Sequence, residues 1–206
     1  MTKDAIEILD KAIDSIDHID QMLIELESYL KKQIKNENIV EPSGLLFQSG
    51  SLAATLLNNL RYQQLNIIFP NTLWSSLFLT LYGIFESTLD ILSDYYFENN
   101  DLNFSPKELN YKGISRSEIY LRKMVGINFP SDIEQWESIK ESADIRHCII
   151  HANGIVDQFN KASSINMLVK KYPGISIEHN HLIIRKQFVE TFIFWCRVIF
   201  NQLRSG

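Results

Sequence analysis

Residues 73–92 read LWSSLFLTLYGIFESTLDIL, and this stretch decides the fold of the chain. Its apolar residues recur at intervals of three and four, and three aromatic residues add apolar surface on a second side. We therefore predict a central helix covered by neighbours, with Asn71 or Thr72 as its N-cap after Pro70. Glu86 lies inside this helix. Because an unpaired buried carboxylate is costly, we expect it to have a basic or hydrogen-bonding partner.

The segments before this stretch predict two further helices. Residues 3 to 36 carry Ile and Leu at helical spacing, and a row of acidic residues lines another face, which we interpret as solvated surface. A shorter helix is predicted over 52–62. Between the two helices lies a polar connector from Asn36 to Gly50 with three helix breakers, Pro42, Gly44 and Gly50.

The segments after the central helix predict two helices. Residues 99–113 have the composition of a loop, and a short helix from Ser115 to Met124 follows, with Ser115 and Glu118 in a capping-box pattern. Pro130-Ser131 is expected to start the next helix.

The C-terminal part predicts a hairpin and a last helix. A variable segment ends at residues 172–174, Tyr-Pro-Gly, and two short apolar runs at 175–178 and 181–184 then flank His179-Asn180, which is typical of a β-hairpin. The last helix, 186–203, is apolar on more than one side, as in a deep core position or a subunit interface. We therefore predict an all-α helical bundle with a small β-hairpin before the last helix.

Length and composition favour one cytoplasmic domain. The chain has 206 residues, of which 45% are hydrophobic, so one domain over residues 1–206 is expected. Its two cysteines, Cys148 and Cys196, lie in apolar surroundings and form neither a disulfide framework nor a zinc pattern. The N-terminus is acidic and lacks the features of a signal peptide. The most apolar runs, 73–85 and 188–203, are shorter than the ~20 residues of a membrane span, so we expect no membrane association.

Charge is distributed unevenly along the chain. The net charge is -5, and residues 1–50 hold ten acidic and five basic residues. Residues 161–206 instead hold seven basic and two acidic residues. This basic region permits a phosphate-bearing ligand, although a solvated basic face is the commoner explanation.

The residues that carry candidate chemistry lie at 141–154, ESADIRHCIIHANG. Arg146, His147 and His151 fall on the last turns of a predicted helix that stops at Asn153-Gly154. Arginine offers a planar fork of donors to phosphate oxygens, and histidine changes charge near neutral pH. The combination is suited to phosphate chemistry.

Two other interpretations use the same residues. His147 and His151 are four apart and share a helix face, as two metal ligands would, with His179 or His181 as a possible third ligand. In a purely structural interpretation, His147 packs, His151 bonds a backbone carbonyl, and Arg146 neutralises Glu86 or Asp144.

A third interpretation is a metal-independent ribonuclease site. In an ideal helix Arg146 and His151 lie about 140° apart around the axis and ~7.5 Å apart along it. One copy therefore gives no compact site unless the helix end is distorted. Two copies related by a two-fold axis would place two Arg and two His around one cleft.

The motif resembles that of the HEPN superfamily, helical proteins of which many are ribonucleases. Its hallmark is Arg, four to six residues, then His, which Arg146 to His151 matches, and residues 151–154 match a His-x-x-Gly ending. The segment LYGIFESTLD and the hairpin with the last helix also resemble the family, so the similarity covers about residues 70–203. The N-terminal helix and its connector carry no such resemblance.

The resemblance implies a homodimer that cuts RNA without a cofactor or metal. His151 would exchange the proton of the ribose 2′-OH or of the leaving oxygen, Arg146 would hold the scissile phosphate, and His147 would bind or orient it. Glu86 would orient Arg146 or His147, with Asp144 and Asn153 as supporting residues.

Two biological roles follow from the resemblance. The chain would be a toxin or an antiviral-defence effector, with an antitoxin or a nucleotidyltransferase as a possible partner. The alternative is a catalytically inactive HEPN-like module for dimerisation or nucleotide binding.

Overall fold

The computed structural model describes residues 1–36 and 52–206, and for 52–55 the backbone alone. Most of the predicted connector, including Pro42, Gly44 and Gly50, lies outside the described residues. The helices are α1 (Lys3–Asn36), α2 (Leu52–Gln63), α3 (Phe69–Asn99), α4 (Gly113–Ile119), α5 (Glu134–Ala152), α6 (Ala162–Lys171) and α7 (Lys186–Ser205). The strands are β1 (Ile175–Glu178) and β2 (His181–Ile184). The predicted fold class, mostly helical with a small hairpin before the last helix, is confirmed.

Helix α3 is the central helix, as its sequence predicts. It packs against α1, α4, α5 and α7. Its aromatic side chains meet those of α7: the rings of Phe85 and Phe200 are stacked with centroids 5.0 Å apart, and Phe78 contacts Phe192 edge-on at 5.1 Å. Helix α7 correspondingly has buried residues along its length, from Phe188 to Leu203, as a core helix does. Burial of a large aromatic side chain contributes about 1.5–3 kcal/mol, and α3 and α7 therefore anchor the core.

The predicted N-cap at Asn71 or Thr72 is wrong. Helix α2 continues through a π-helical turn, Gln64–Ile68, directly into α3, and the residue before α3 has helical dihedral angles. The Oγ of Thr72 donates to the Ile68 carbonyl, and Pro70 lies at the start of α3. The side chain of Asn71 instead binds strand β2: its Oδ1 accepts from Ile184 N at 2.7 Å, and its Nδ2 donates to Leu182 O at 3.5 Å.

The hairpin holds the end of α5 in place. Its strands pair antiparallel, with Ile175 opposite Ile184 and Glu178 opposite His181. On the other edge of β2, Leu182 N donates to Gly154 O at 2.8 Å, and Val156 N donates to Asn180 O at 2.9 Å. Those backbone bonds fix the chain directly after the motif, so the hairpin positions the helix end that carries His151.

Three local predictions differ from the structure. Helix α4 begins at Gly113 without a side-chain cap, and Glu118 pairs with Arg122 at 2.7 Å instead of capping; the capping box is at Ser105 and Glu108. Helix α5 begins at Glu134, after a turn that follows Pro130. The segment after Gly154 contains α6, whose buried residues Ile165 and Leu168 are too few to signal a helix by periodicity.

The acidic and basic regions pair with each other within the chain. Arg197 on α7 contacts Asp17 at 2.5 Å and Asp20 at 2.8 Å on α1, and Arg204 contacts Asp10 at 3.1 Å. The acidic row of α1 is thus only partly a solvated surface. It docks α7 through ion pairs, and these arginines of the basic region already have carboxylate partners.

The continuous helix formed by α2, the π-helical turn and α3 is longer than the apolar runs that the sequence analysis compared with a membrane span. By length and composition alone, Leu56–Asn99 is long and apolar enough to cross a membrane, although the core helix of a soluble protein passes the same test. Within the described chain this is the one such helix.

Candidate active site

The motif lies at the C-terminal end of α5, which is held by a buried face. Trp136, Ile139, Ile145 and Cys148 are buried, and the interval of three or four residues leaves Arg146, His147 and His151 off that face. The helix stops at Asn153, whose φ is 50°, and Gly154, whose φ is 74°. Gly154 N donates to Cys148 O at 3.0 Å, which closes the last turn. Asn153 thus ends the helix directly after the motif.

Two imidazoles lie side by side at this helix end. The ring centroids of His147 and His151 are 5.8 Å apart, with 40° between the ring planes. Both rings border a cavity of about 570 Å³, which we name the histidine pocket. Its other lining residues are Ala152, Gln158, Phe159, Asn160 and Lys161. The four-residue spacing of the motif therefore brings two imidazoles to one cavity, which a lysine also lines.

The two imidazoles differ in their surroundings. Burial lowers the pKa of His147 below its ordinary value of 6.5, and the adjacent positive charge of Arg146 lowers it further. Asp144 opposes this shift without reversing it. His151, by contrast, is exposed. His147 is therefore a neutral imidazole near pH 7, able to accept a proton.

Arg146 lies on the neighbouring side of α5, against α3. Its guanidinium carbon is 5.4 Å from the centre of the Tyr82 ring, and its Nη2 is 3.7 Å from Glu86 Oε2. Tyr82 and Glu86 are four apart on one face of α3, so the ring and the carboxylate hold the guanidinium together. The predicted partnership of Glu86 and Arg146 is found, at a distance longer than a hydrogen bond.

Asp144, the other partner predicted for Arg146, instead accepts hydrogen bonds from Lys161 and Ser164. Its Oδ1 accepts from Lys161 Nζ and its Oδ2 accepts from the Ser164 hydroxyl, each at 2.7 Å. Burial raises the pKa of Asp144, but the bonds from Lys161 and Ser164 outweigh this effect and hold the pKa below its ordinary value. Asp144 therefore stays ionised and holds Lys161, which lines the histidine pocket. The alternative contact of Asp144 with Arg146 is therefore not found.

Three residues that contact the motif or its neighbours, Tyr82, Lys161 and Ser164, were not identified as site residues from the sequence. Tyr82 was assigned only to an apolar face, although its position four residues before Glu86 was a usable signal. Lys161 and Ser164 lie 17 and 20 residues from Asp144, and no local pattern connects them with the motif.

The site residues fall into two groups in a single chain. His147 and His151 share the histidine pocket, whereas Arg146 lines neither of the two cavities that His147 borders. The geometry agrees with the five-residue spacing, which turns Arg146 away from His151.

The metal interpretation lacks a third ligand in the described part of the chain. No group of three or more His, Cys, Asp or Glu side chains there could hold a metal ion, so His179 and His181 do not complete a site with the motif histidines. His181 Nδ1 instead lies 3.0 Å from the His179 carbonyl oxygen on the hairpin.

Comparisons of the chain with protein-family models, with curated proteins and with solved structures gave no match. The resemblance to HEPN proteins therefore rests on the motif and the residues around it.

Proposed function

We propose that this chain is a metal-independent endoribonuclease of HEPN type, which cuts RNA by attack of the ribose 2′-oxygen on the adjacent phosphorus. The observation that supports this proposal is the pair of imidazoles 5.8 Å apart in one pocket with Lys161. Cleavage of this kind needs a base for the 2′-OH proton, an acid for the leaving oxygen and a positive charge near the phosphate. The two histidines and the lysine supply these three functions.

The role of His147 follows from its surroundings, and His151 takes the complementary role. Neutral His147 takes the proton of the 2′-OH, the 2′-oxygen bonds to phosphorus, and the bond from phosphorus to the 5′-oxygen breaks. His151 gives its proton to that leaving oxygen. The products are a 2′,3′-cyclic phosphate and a free 5′-hydroxyl.

Arg146 enters the proposal through a second copy of the chain. In one chain it is held by Tyr82 and Glu86 beside the motif and away from His151. In a two-fold dimer formed along the ends of α5, the guanidinium of each copy reaches the phosphate in the pocket of the other. Glu86 then orients Arg146 for that contact.

The test is cleavage of RNA by the purified protein and three variants. His147→Ala and His151→Ala are each expected to lose about 10²–10⁴-fold in rate, the usual contribution of a general acid or base. His18→Ala is the control, because His18 is exposed on α1 and borders neither cavity. Equal cleavage by all four proteins would overturn the proposal.

In the cell we propose a cytoplasmic toxin or antiviral-defence effector, restrained by an antitoxin or a nucleotidyltransferase partner. Expression of the wild type would then stop growth, whereas expression of His151→Ala would not.

A second candidate function is a catalytically inactive HEPN-like module for dimerisation or nucleotide binding. The position of Arg146 favours it, because a guanidinium held by an aromatic ring and a carboxylate also serves as a structural contact. Nucleotide binding without any RNA cleavage by the wild type would support this module over the enzyme.

A further inference from the structure

A second cavity borders His147 but not His151. It has a volume of about 320 Å³, near the lower end of the ~300–1,000 Å³ of ligand pockets. We name it the lysine pocket. It is lined by Tyr82, Glu86, Lys112, Gly113, Ile114, Ser115, Lys140, Ala143 and His147. His147 is the residue that the lysine pocket and the histidine pocket share.

One wall of the lysine pocket forms where the start of α4 lies close to Glu86 of α3. Gly113 has a φ of +55°, and a Cβ added there would lie 3.0 Å from Glu86 Oε1. Glycine thus lets the start of α4 approach the carboxylate that faces Arg146. Lys112, the residue before α4, also lines the cavity.

The two lysines are available to a ligand. Lys112 is exposed and has no ion pair within the described residues. Lys140 pairs with Glu137 at 2.6 Å, three residues away on the surface of α5. A surface pair of this type is weak, so a phosphate can replace Glu137 at small cost. The lysine pocket therefore offers two ammonium groups and the Ser115 hydroxyl to an anion, and the carboxylate in its lining, Glu86, has the Arg146 guanidinium 3.7 Å away.

We propose that the lysine pocket binds the phosphate of the nucleotide next to the one that is cleaved. This inference rests on the proposed ribonuclease function. An RNA strand that passes His147 can enter both pockets that this residue lines, so that one phosphate lies at His151 and Lys161 while its neighbour meets Lys112 and Lys140. Contacts between lysine and phosphate strengthen binding without reading the base.

The experiment measures binding of a labelled single-stranded hexanucleotide with 2′-methoxy groups, a probe that 2′-OH chemistry cannot cut. For the variant Lys112→Ala/Lys140→Ala we expect about tenfold weaker binding, and a plot of log affinity against log salt less steep by about 0.7 for each phosphate that the variant no longer neutralises. The control Lys11→Ala/Lys32→Ala removes the same charge from α1, outside both pockets. Lys112→Glu alone, at an exposed position, is a second test that does not disturb packing.

The outcomes separate this inference from the proposed function. If the lysine-pocket variants lose affinity while the wild type cuts no RNA, the lysine pocket binds a backbone phosphate and the ribonuclease proposal falls. If the wild type cuts RNA and the variants bind the probe as tightly as the control does, the subsite is overturned and the ribonuclease proposal stands.

Discussion

Arg146 and Tyr82 form a cation–π contact, with the guanidinium carbon 5.4 Å from the ring centre. Tyr82 is buried, and burial raises its pKa far above the ordinary value, so the ring remains a neutral phenol against the cation. The contact fixes Arg146 on the face of α5 that turns away from His151. In the proposed dimer, the arginine of one copy and the histidine of the other must therefore act together.

This arrangement predicts complementation between two inactive variants. Arg146→Ala and His151→Ala should each be inactive alone, whereas a mixture that exchanges subunits should regain about a quarter of wild-type activity. Half of the dimers are then mixed, and each mixed dimer has one intact pairing of Arg and His. Cleavage rates measured across the mixing ratio would check this expectation. Activity that stays at the level of either variant alone would show that Arg146 does not act across the dimer.

A second prediction concerns the dimer surface. Ile150 is directly before His151 and is 44% exposed, so a dimer formed along the end of α5 would cover it. Ile150→Glu should then give a folded monomer with at least tenfold less cleavage, because a buried unpaired carboxylate is costly. The matched control is Ile24→Glu, at a residue 54% exposed on α1. Sedimentation of both variants at micromolar concentration would show whether each is a monomer or a dimer. A dimeric Ile150→Glu protein would mean that the interface lies elsewhere.

The nucleophile can be identified from the substrate. DNA, and RNA with a 2′-methoxy group at the cleaved nucleotide, should resist cutting, because the attacking atom is missing or blocked. Activity on unmodified RNA should survive a chelator. Analysis of the product ends by mass spectrometry should show a 2′,3′-cyclic phosphate. Loss of cleavage in chelator with recovery on addition of one metal would instead return His147 and His151 to the role of metal ligands.

The pKa of His147 predicts how stability depends on pH. Because the folded chain lowers this pKa below the ordinary value of 6.5, the unfolded chain binds more protons at this residue below that pH. The His147 contribution is therefore fully present above pH 6.5 and is lost as the pH falls toward the folded pKa.

We expect urea unfolding to show a lower free energy of unfolding at about pH 5.5 than at about pH 7.5, and a smaller difference in His147→Gln. His18→Gln, on the exposed side of α1, should keep the wild-type difference. The same dependence in His147→Gln as in the wild type would mean that another group is responsible.

The helical bundle, the hairpin and the end of α5 were predictable from the sequence, because each depends on neighbouring residues. The apolar spacing of 73–92 identifies the central helix, and Asn153-Gly154 supplies the left-handed residues that end α5. His147 and His151 share a pocket for the same reason, since residues four apart lie on one helix face. By contrast, α6 was missed, because its buried side is too short for a periodic pattern.

Only the tertiary structure decided how distant residues pair. Asn71 looks like an N-cap in the sequence, but it binds a strand 113 residues later through Ile184. Asp144 and Glu86 were equal candidates for Arg146, and packing of α5 on α3 selected Glu86 while α6 brought Lys161 to Asp144. Local patterns specify which side of a helix is buried. Which other helix covers that side, and at what rotation, depends on the packing of the whole core, so the contacts of charged groups at its edge follow from the fold.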